Sequence, residues 1–163
     1  MAGKFVCDWD HREDAEFLVR EGQRWRLSCG KHIENFAPSY VVPISQSALM
    51  RDAMKAAASI VESLRDGRIL RIRNSRAPYD EWEFYVALVP TSDGERVCDI
   101  GYSPAAKRFI SPLYLTLERY EQSLVRLLLN GWQIEILEGS VSNEEDLRRF
   151  VKNLHRRDGG DER

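Results

Sequence analysis

Residues 68–102 constrain the fold more than any other segment of this chain. Three alternating apolar runs, 68–74, 81–91 and 95–102, are separated by short polar turns, and they predict an antiparallel three-strand meander. Ser92-Asp93-Gly94 reads as a three-residue hairpin loop with Gly where a positive φ is wanted. Pairing Thr91 with Glu95 then sets Leu88 by Cys98, Val86 by Ile100 and Phe84 by Tyr102. The first hairpin is expected to pair Arg73 with Glu81, Ile72 with Trp82 and Leu70 with Phe84. All these apolar pairs fall on one face, as a half-buried sheet requires.

Helical patterns surround the meander. Leu49, Ala53, Ala56/Ala57, Ile60 and Leu64 recur at helical spacing between a Ser45 or Ser47 cap and Gly67. Leu113, Leu117, Tyr120, Leu124 and Leu127/Leu128 form a second stripe ending at Asn130-Gly131, with Ser111-Pro112 as a cap-like start, although Leu113, Leu115 and Leu117 also alternate as a strand would. Ser103-Pro104 has the same cap-like form. Ser142-Asn143-Glu144-Glu145 predicts a capping box for a last helix with Leu147, Phe150, Val151 and Leu154 inward. Trp132, Ile134 and Ile136 alternate as a strand.

Before residue 45, strands are expected over 4–9 and 24–29, with a helix over about 11–21 capped by Asp10, and Tyr40–Ile44, extended but broken by Pro43, as an edge strand or an irregular segment. If 4–9 and 24–29 run parallel, their C-terminal ends meet. The expected class is α+β, a mostly antiparallel sheet packed by amphipathic helices. One domain is expected over residues 1–154, with 155–163 a flexible C-terminal tail that has no apolar residue.

Composition narrows function mainly by exclusion. Twenty-four basic and 26 acidic side chains leave a formal charge of −2, a weak footprint for a nucleic-acid binder. No apolar run is long enough for a membrane span, and no secretory h-region opens the chain. Three cysteines, an odd number, speak against a disulfide framework and for a reducing, cytoplasmic compartment. Nucleotide-loop, nucleophile-elbow and zinc-protease motifs are absent.

Two groups of residues carry chemistry. Cys7-x3-His11 and Cys29-x2-His32 are local pairs of the ligand types that zinc takes in a tetrahedron, so Cys7, His11, Cys29 and His32 are the candidate metal ligands. The competing reading makes Cys7 and Cys29 small core residues beside Phe5, Trp9, Trp25 and Leu27. The second group is the basic hairpin Arg71, Arg73, Arg76 and Tyr79, the residue types of an interface hot spot. There, the expected register sets Arg71 against Glu83 and Arg73 against Glu81 as cross-strand ion pairs.

The leading expectation is a small interaction protein, of inhibitor, immunity, chaperone or adaptor type, that binds a protein partner through its sheet and loop surface. The alternatives are a zinc-supported or Arg-mediated nucleic-acid binder, and an enzyme with a dispersed site.

Overall fold

A computed structural model describes residues 5–33 and 40–159. The class is α+β: among these residues, four α-helices accompany a three-stranded and a six-stranded sheet, and every strand pairing is antiparallel. The segment expected to be one domain comprises two compact units, Met1–Ala58 with Glu121–Gly131, and Ser59–Tyr120 with Trp132–Arg163. None of the helices among the described residues is long and apolar enough to cross a membrane.

In the first unit, strands β1 (Phe17–Glu21) and β2 (Arg24–Ser28) form a hairpin, and β3 (Tyr40–Pro43) pairs with the other side of β1. This replaces the helix expected over 11–21. Asp10 does accept the backbone N–H groups of Arg12 and Glu13 through Oδ1, at 2.9 and 3.0 Å. That cap-like bond closes a turn and no helix follows it. Leu18 and Val19 are instead buried within β1, and Gly22, at φ +63°, opens a two-residue hairpin loop of the kind that favours Gly at its first position. Residues 5–9 are also not a strand. They make one bridge, Val6 with Asp14, and then turn, while Lys4 lies outside the described residues. The Tyr40–Pro43 segment is an edge strand, as expected.

Ser47 caps α2 (Ala48–Arg65) by accepting the Met50 N–H at 3.0 Å. Its buried stripe is Met50, Ala53, Ala57, Val61 and Leu64, and Leu49 is exposed. A short helix, α1 (Gly30–Ile33), follows β2.

The second unit holds the expected meander as β4 (Ile69–Arg73), β5 (Glu83–Thr91) and β6 (Gly94–Ser103), with a different register. Thr91 Oγ1 donates to the Gly94 carbonyl at 2.6 Å and accepts the Asp93 N–H at 3.2 Å, which fixes Thr91 opposite Gly94 rather than Glu95. That one-residue slip exchanges the faces of β5 relative to β6. Ala87 now pairs with Cys98, Tyr85 with Ile100 and Glu83 with Tyr102. The β4–β5 register moves by two, so that Arg73 opposes Glu83 and Ile72 opposes Phe84.

Helix α4 (Glu144–Gly159) packs Leu147 and Val151 on the face carrying Ile69, Tyr85, Ala87, Cys98 and Ile100, with Phe150 and Leu154 at its margin. Asn143, not Ser142, is its cap: Asn143 Oδ1 accepts the Asp146 N–H and Asp146 Oδ2 accepts the Ser142 N–H. The helix continues to Gly159, into the segment expected to be a tail; residues 160–163 lie outside the described ones. Strand β9 (Gln133–Leu137) adds antiparallel to β4 at the sheet edge.

Neither Ser-Pro site begins a helix. Ser103-Pro104 turns the chain into β7 (Arg108–Phe109), and Ser111-Pro112 leads into β8 (Leu113–Leu115), which pairs with β6. Helix α3 (Leu117–Leu129) starts only after Thr116, whose Oγ1 accepts the Arg119 N–H.

The slipped register leaves one carboxyl in an apolar setting. Asp99 Oδ1 and the Tyr120 hydroxyl are both buried without a hydrogen-bond partner. Burial pushes Asp99 from 3.8 up to about 7. The unfolded chain therefore gives up this proton first, so stability falls as pH rises from about 4 and levels off above about 7. Asp99→Asn supplies a neutral isostere. It should stabilise the protein by roughly 2–4 kcal/mol at pH 8 and flatten the loss between pH 4 and 7. Urea melts of both proteins across that range check this, and equal stability at pH 8 would contradict it.

Candidate metal centre

Four ligand-type atoms converge in the first unit. The Sγ atoms of Cys7 and Cys29, a carboxylate oxygen of Asp10 and a ring nitrogen of His32 all lie within 4.8 Å of one another. Three of the four residues expected from the sequence are brought together. The fourth, His11, is not among them, and Asp10 stands in its place.

Local backbone geometry explains the exchange. Residues 7–11 form a turn in which the His11 N–H donates to the Cys7 carbonyl at 3.0 Å. His11 sits at φ +58° with its side chain exposed, past the point where the chain has turned. Asp10, one residue earlier, directs Oδ2 at the cluster while Oδ1 is held by the Arg12 and Glu13 amides. Cys7-x2-Asp10 thus has the same spacing as Cys29-x2-His32, and each turn offers two ligands. This matched spacing is the signal in the sequence that points to Asp10 over His11.

The separations suit one small cation. Cys29 Sγ is 3.0 Å and Cys7 Sγ 3.6 Å from His32 Nδ1; Asp10 Oδ2 is 3.8 Å from Cys29 Sγ and 3.5 Å from His32 Nδ1. Bonds of about 2.3 Å to sulfur and about 2.0 Å to nitrogen or oxygen make a tetrahedron with edges of about 3.3–3.8 Å. Three of the four separations match such edges, and the Cys29–His32 separation is shorter.

Both cysteines are core residues, with Cys7 fully buried and Cys29 4% exposed, so the packing reading of their burial holds as well. The backbone surroundings of Cys7 differ from those of an inert core thiol. Burial raises the Cys7 thiol, but backbone N–H groups of Cys29, Trp9 and Asp10 outweigh it and bring Cys7 below the ordinary thiol value. At Cys29, burial and the neighbouring Cys7 prevail over the Lys31 and His32 amides, and the thiol lies above the ordinary value. Amides of Arg12 and Glu13 hold Asp10 below the usual carboxylate range.

The two turns are tied to each other from outside the cluster. Asp8 takes the Leu27 N–H on Oδ2 at 2.8 Å and donates its own N–H to the Leu27 carbonyl at 2.9 Å. Arg126 reaches Asp8 Oδ1 at 2.7 Å and the Val6 carbonyl at 2.8 Å. Trp9 stacks on the His32 ring at 6.3 Å, with the Arg26 guanidinium over its own ring. Each of these contacts fixes a residue adjacent to a ligand.

The basic hairpin of the second unit divides in two. The expected register puts Arg71 on the face opposite the apolar pairs; in the structure it lies on the α4-packed face, opposite Tyr85. Its Nε donates to Glu83 Oε1 at 2.6 Å, and the Tyr85 hydroxyl donates to the same oxygen at 3.1 Å. His155 Nε2 lies 3.0 Å from that hydroxyl and 3.4 Å from Glu83 Oε2. The expected Arg71–Glu83 ion pair therefore forms, but on the buried face. Arg73 pairs with Glu135 at 3.7 Å instead of Glu81. Arg76 and Tyr79 are exposed, and the Tyr79 ring leans on Trp132 at 5.3 Å.

Comparison with family models, curated proteins and solved structures finds no match to this chain.

Removing Glu83 would leave the Arg71 guanidinium buried and uncompensated. Glu83→Ala should cost about 3 kcal/mol in urea unfolding, against under about 1 kcal/mol for Glu62→Ala in the exposed Glu62–Arg65 pair. Equal losses in the two variants would contradict the buried-cluster assignment.

Proposed function

We propose that this chain is a zinc-stabilised interaction protein. One zinc ion is held by Cys7, Asp10, Cys29 and His32, and the observation that carries this reading is the convergence of two Cys-x2-ligand turns on a volume of tetrahedral size. The role is structural. Four protein ligands close the coordination shell, the Asp10 carboxylate is pinned by two amides, and no position is left for a reacting water. With two thiolates, one carboxylate and a neutral imidazole, zinc leaves a net charge of −1, far less costly to bury than three uncompensated anions.

The expected partner is another protein, met through Arg73, Arg76 and Tyr79. Tyr79 is 50% exposed and rests on Trp132, so an aromatic braced from behind is presented on the same loop as Arg76. Arg71 has Glu83 as its partner, and the chain's charge of −2 favours a protein over a nucleic acid at this surface. Three cysteines, none in a disulfide, fit a cytoplasmic setting.

Metal analysis of untagged protein tests the first part. It should find about one zinc per chain, and chelation should lower the melting temperature by about 10 °C or more. Asp10→Ala should weaken zinc binding at least about tenfold, while His11→Ala leaves it unchanged. Zinc below about 0.1 per chain, with melting indifferent to chelator, would refute the site.

The second part is tested by capture from native lysate. Arg73, Arg76 and Tyr79 replaced together by Ala should leave the melting curve unchanged. The variant should weaken the captured partner by more than ~2 kcal/mol. Unchanged affinity would place the interface elsewhere.

A further inference from the structure

We infer that the zinc site is also a redox switch, in which peroxide joins Cys7 to Cys29 and expels the ion. The inference rests on the zinc reading above and adds a mode of regulation to it.

The pair is built for this exchange. The two sulfur atoms lie within 4.8 Å of each other, a gap that side-chain rotation closes once no metal lies between them. They come from turns 22 residues apart in sequence, and the Cys29 backbone amide faces the Cys7 sulfur, so the two turns already meet at the thiols. Access is one-sided. Cys29, only 4% exposed, lines an open cleft of about 620 Å³ together with Glu13, Glu16 and Lys31, whereas Cys7 is fully buried and does not line it. The member at the cleft wall meets the oxidant, and the enclosed member resolves the product. The third cysteine, Cys98, is buried in β6 of the other unit and takes no part.

The chemistry balances with hydrogen peroxide as the sole co-reactant. The Cys29 thiolate attacks one peroxide oxygen, the O–O bond breaks, and the departing hydroxide takes a proton to become water. Cys29 is left as a sulfenic acid. The Cys7 thiolate then attacks the Cys29 sulfur, an S–S bond forms, and the S–O bond breaks to release a second hydroxide, protonated to water. Two electrons pass from sulfur to oxygen, and zinc stays divalent throughout. Having lost both sulfur ligands, the ion keeps only Asp10 and His32, too few to retain it against water.

The test uses the full chain loaded with zinc. Hydrogen peroxide is added with a chromogenic zinc chelator present, and disulfides are mapped by peptide mass spectrometry. The expected result is release of the bound zinc in step with a Cys7–Cys29 bond, at least about tenfold faster than without peroxide, and reversal on adding thiol and zinc. Cys98→Ser should behave as the parent chain. Cys29→Ser isolates the accessible thiol: whatever zinc it binds should no longer be released with a disulfide. Zinc retained under peroxide, or released with Cys7 and Cys29 oxidised separately to sulfinic acids, would overturn the switch and leave the zinc reading intact. A chain that carries no zinc before peroxide is added would overturn the reading beneath it and the release together.

Discussion

Four ligand-type side chains held within 4.8 Å of one another are the constraint on which the first unit turns. Cys29 Sγ faces His32 Nδ1 and Asp10 Oδ2 at 3.0 and 3.8 Å, and each proton lost from this group would raise the cost of losing the next. In the proposed site a divalent cation would offset those charges with four bonds to one centre. The turn at residues 7–11, the Asp8–Leu27 backbone pairing and the Arg126 guanidinium all position groups for that centre. The three-stranded sheet of the first unit buries Leu18, Val19 and Leu27 fully, and the proposed ion would tie the turn at residues 7–11 to the end of that sheet.

The second unit handles charge differently. Arg71 and Glu83 are buried as a pair, and their remaining valences are met by Tyr85 and His155. Such a network seldom adds much stability over an apolar replacement, but breaking one member is costly, so it fixes the register of β4 on β5. It also anchors the last turns of α4, because His155 packs against Tyr85 and Tyr102. Asp99 marks the opposite outcome on the other face of β6, a carboxyl with no cation and a correspondingly raised pKa. Of the basic hairpin, Arg73, Arg76 and Tyr79 are what is left at the surface.

Much of this was legible in the residues. The meander, the long helix capped at Ser47, the edge strand at Tyr40–Pro43 and the last helix follow from period and capping chemistry, which act over a few residues. What was not legible depended on competition between local signals. Asp10 carries a helix-cap signature, yet its carboxylate serves a turn, and the strand-forming Phe17-Leu18-Val19 run prevails over the helical spacing. Gly94 has the positive φ expected of it, but the Thr91 hydroxyl decides which residue it faces, and that single bond reverses the faces of a whole strand. Three of the four converging ligand-type residues were visible in the sequence. Cysteine and histidine attract notice as ligands, while an aspartate among 26 acidic side chains does not until its spacing is set beside that of Cys29 and His32.

The central claim is a coordination shell, and X-ray absorption at the zinc edge of the native protein reads that shell directly. Two sulfur neighbours at about 2.3 Å and two nitrogen or oxygen neighbours at about 2.0 Å are expected, with the lighter shell altered in Asp10→Ala and unaltered in His11→Ala. A shell without sulfur, or one that changes with His11 and not with Asp10, would contradict the account.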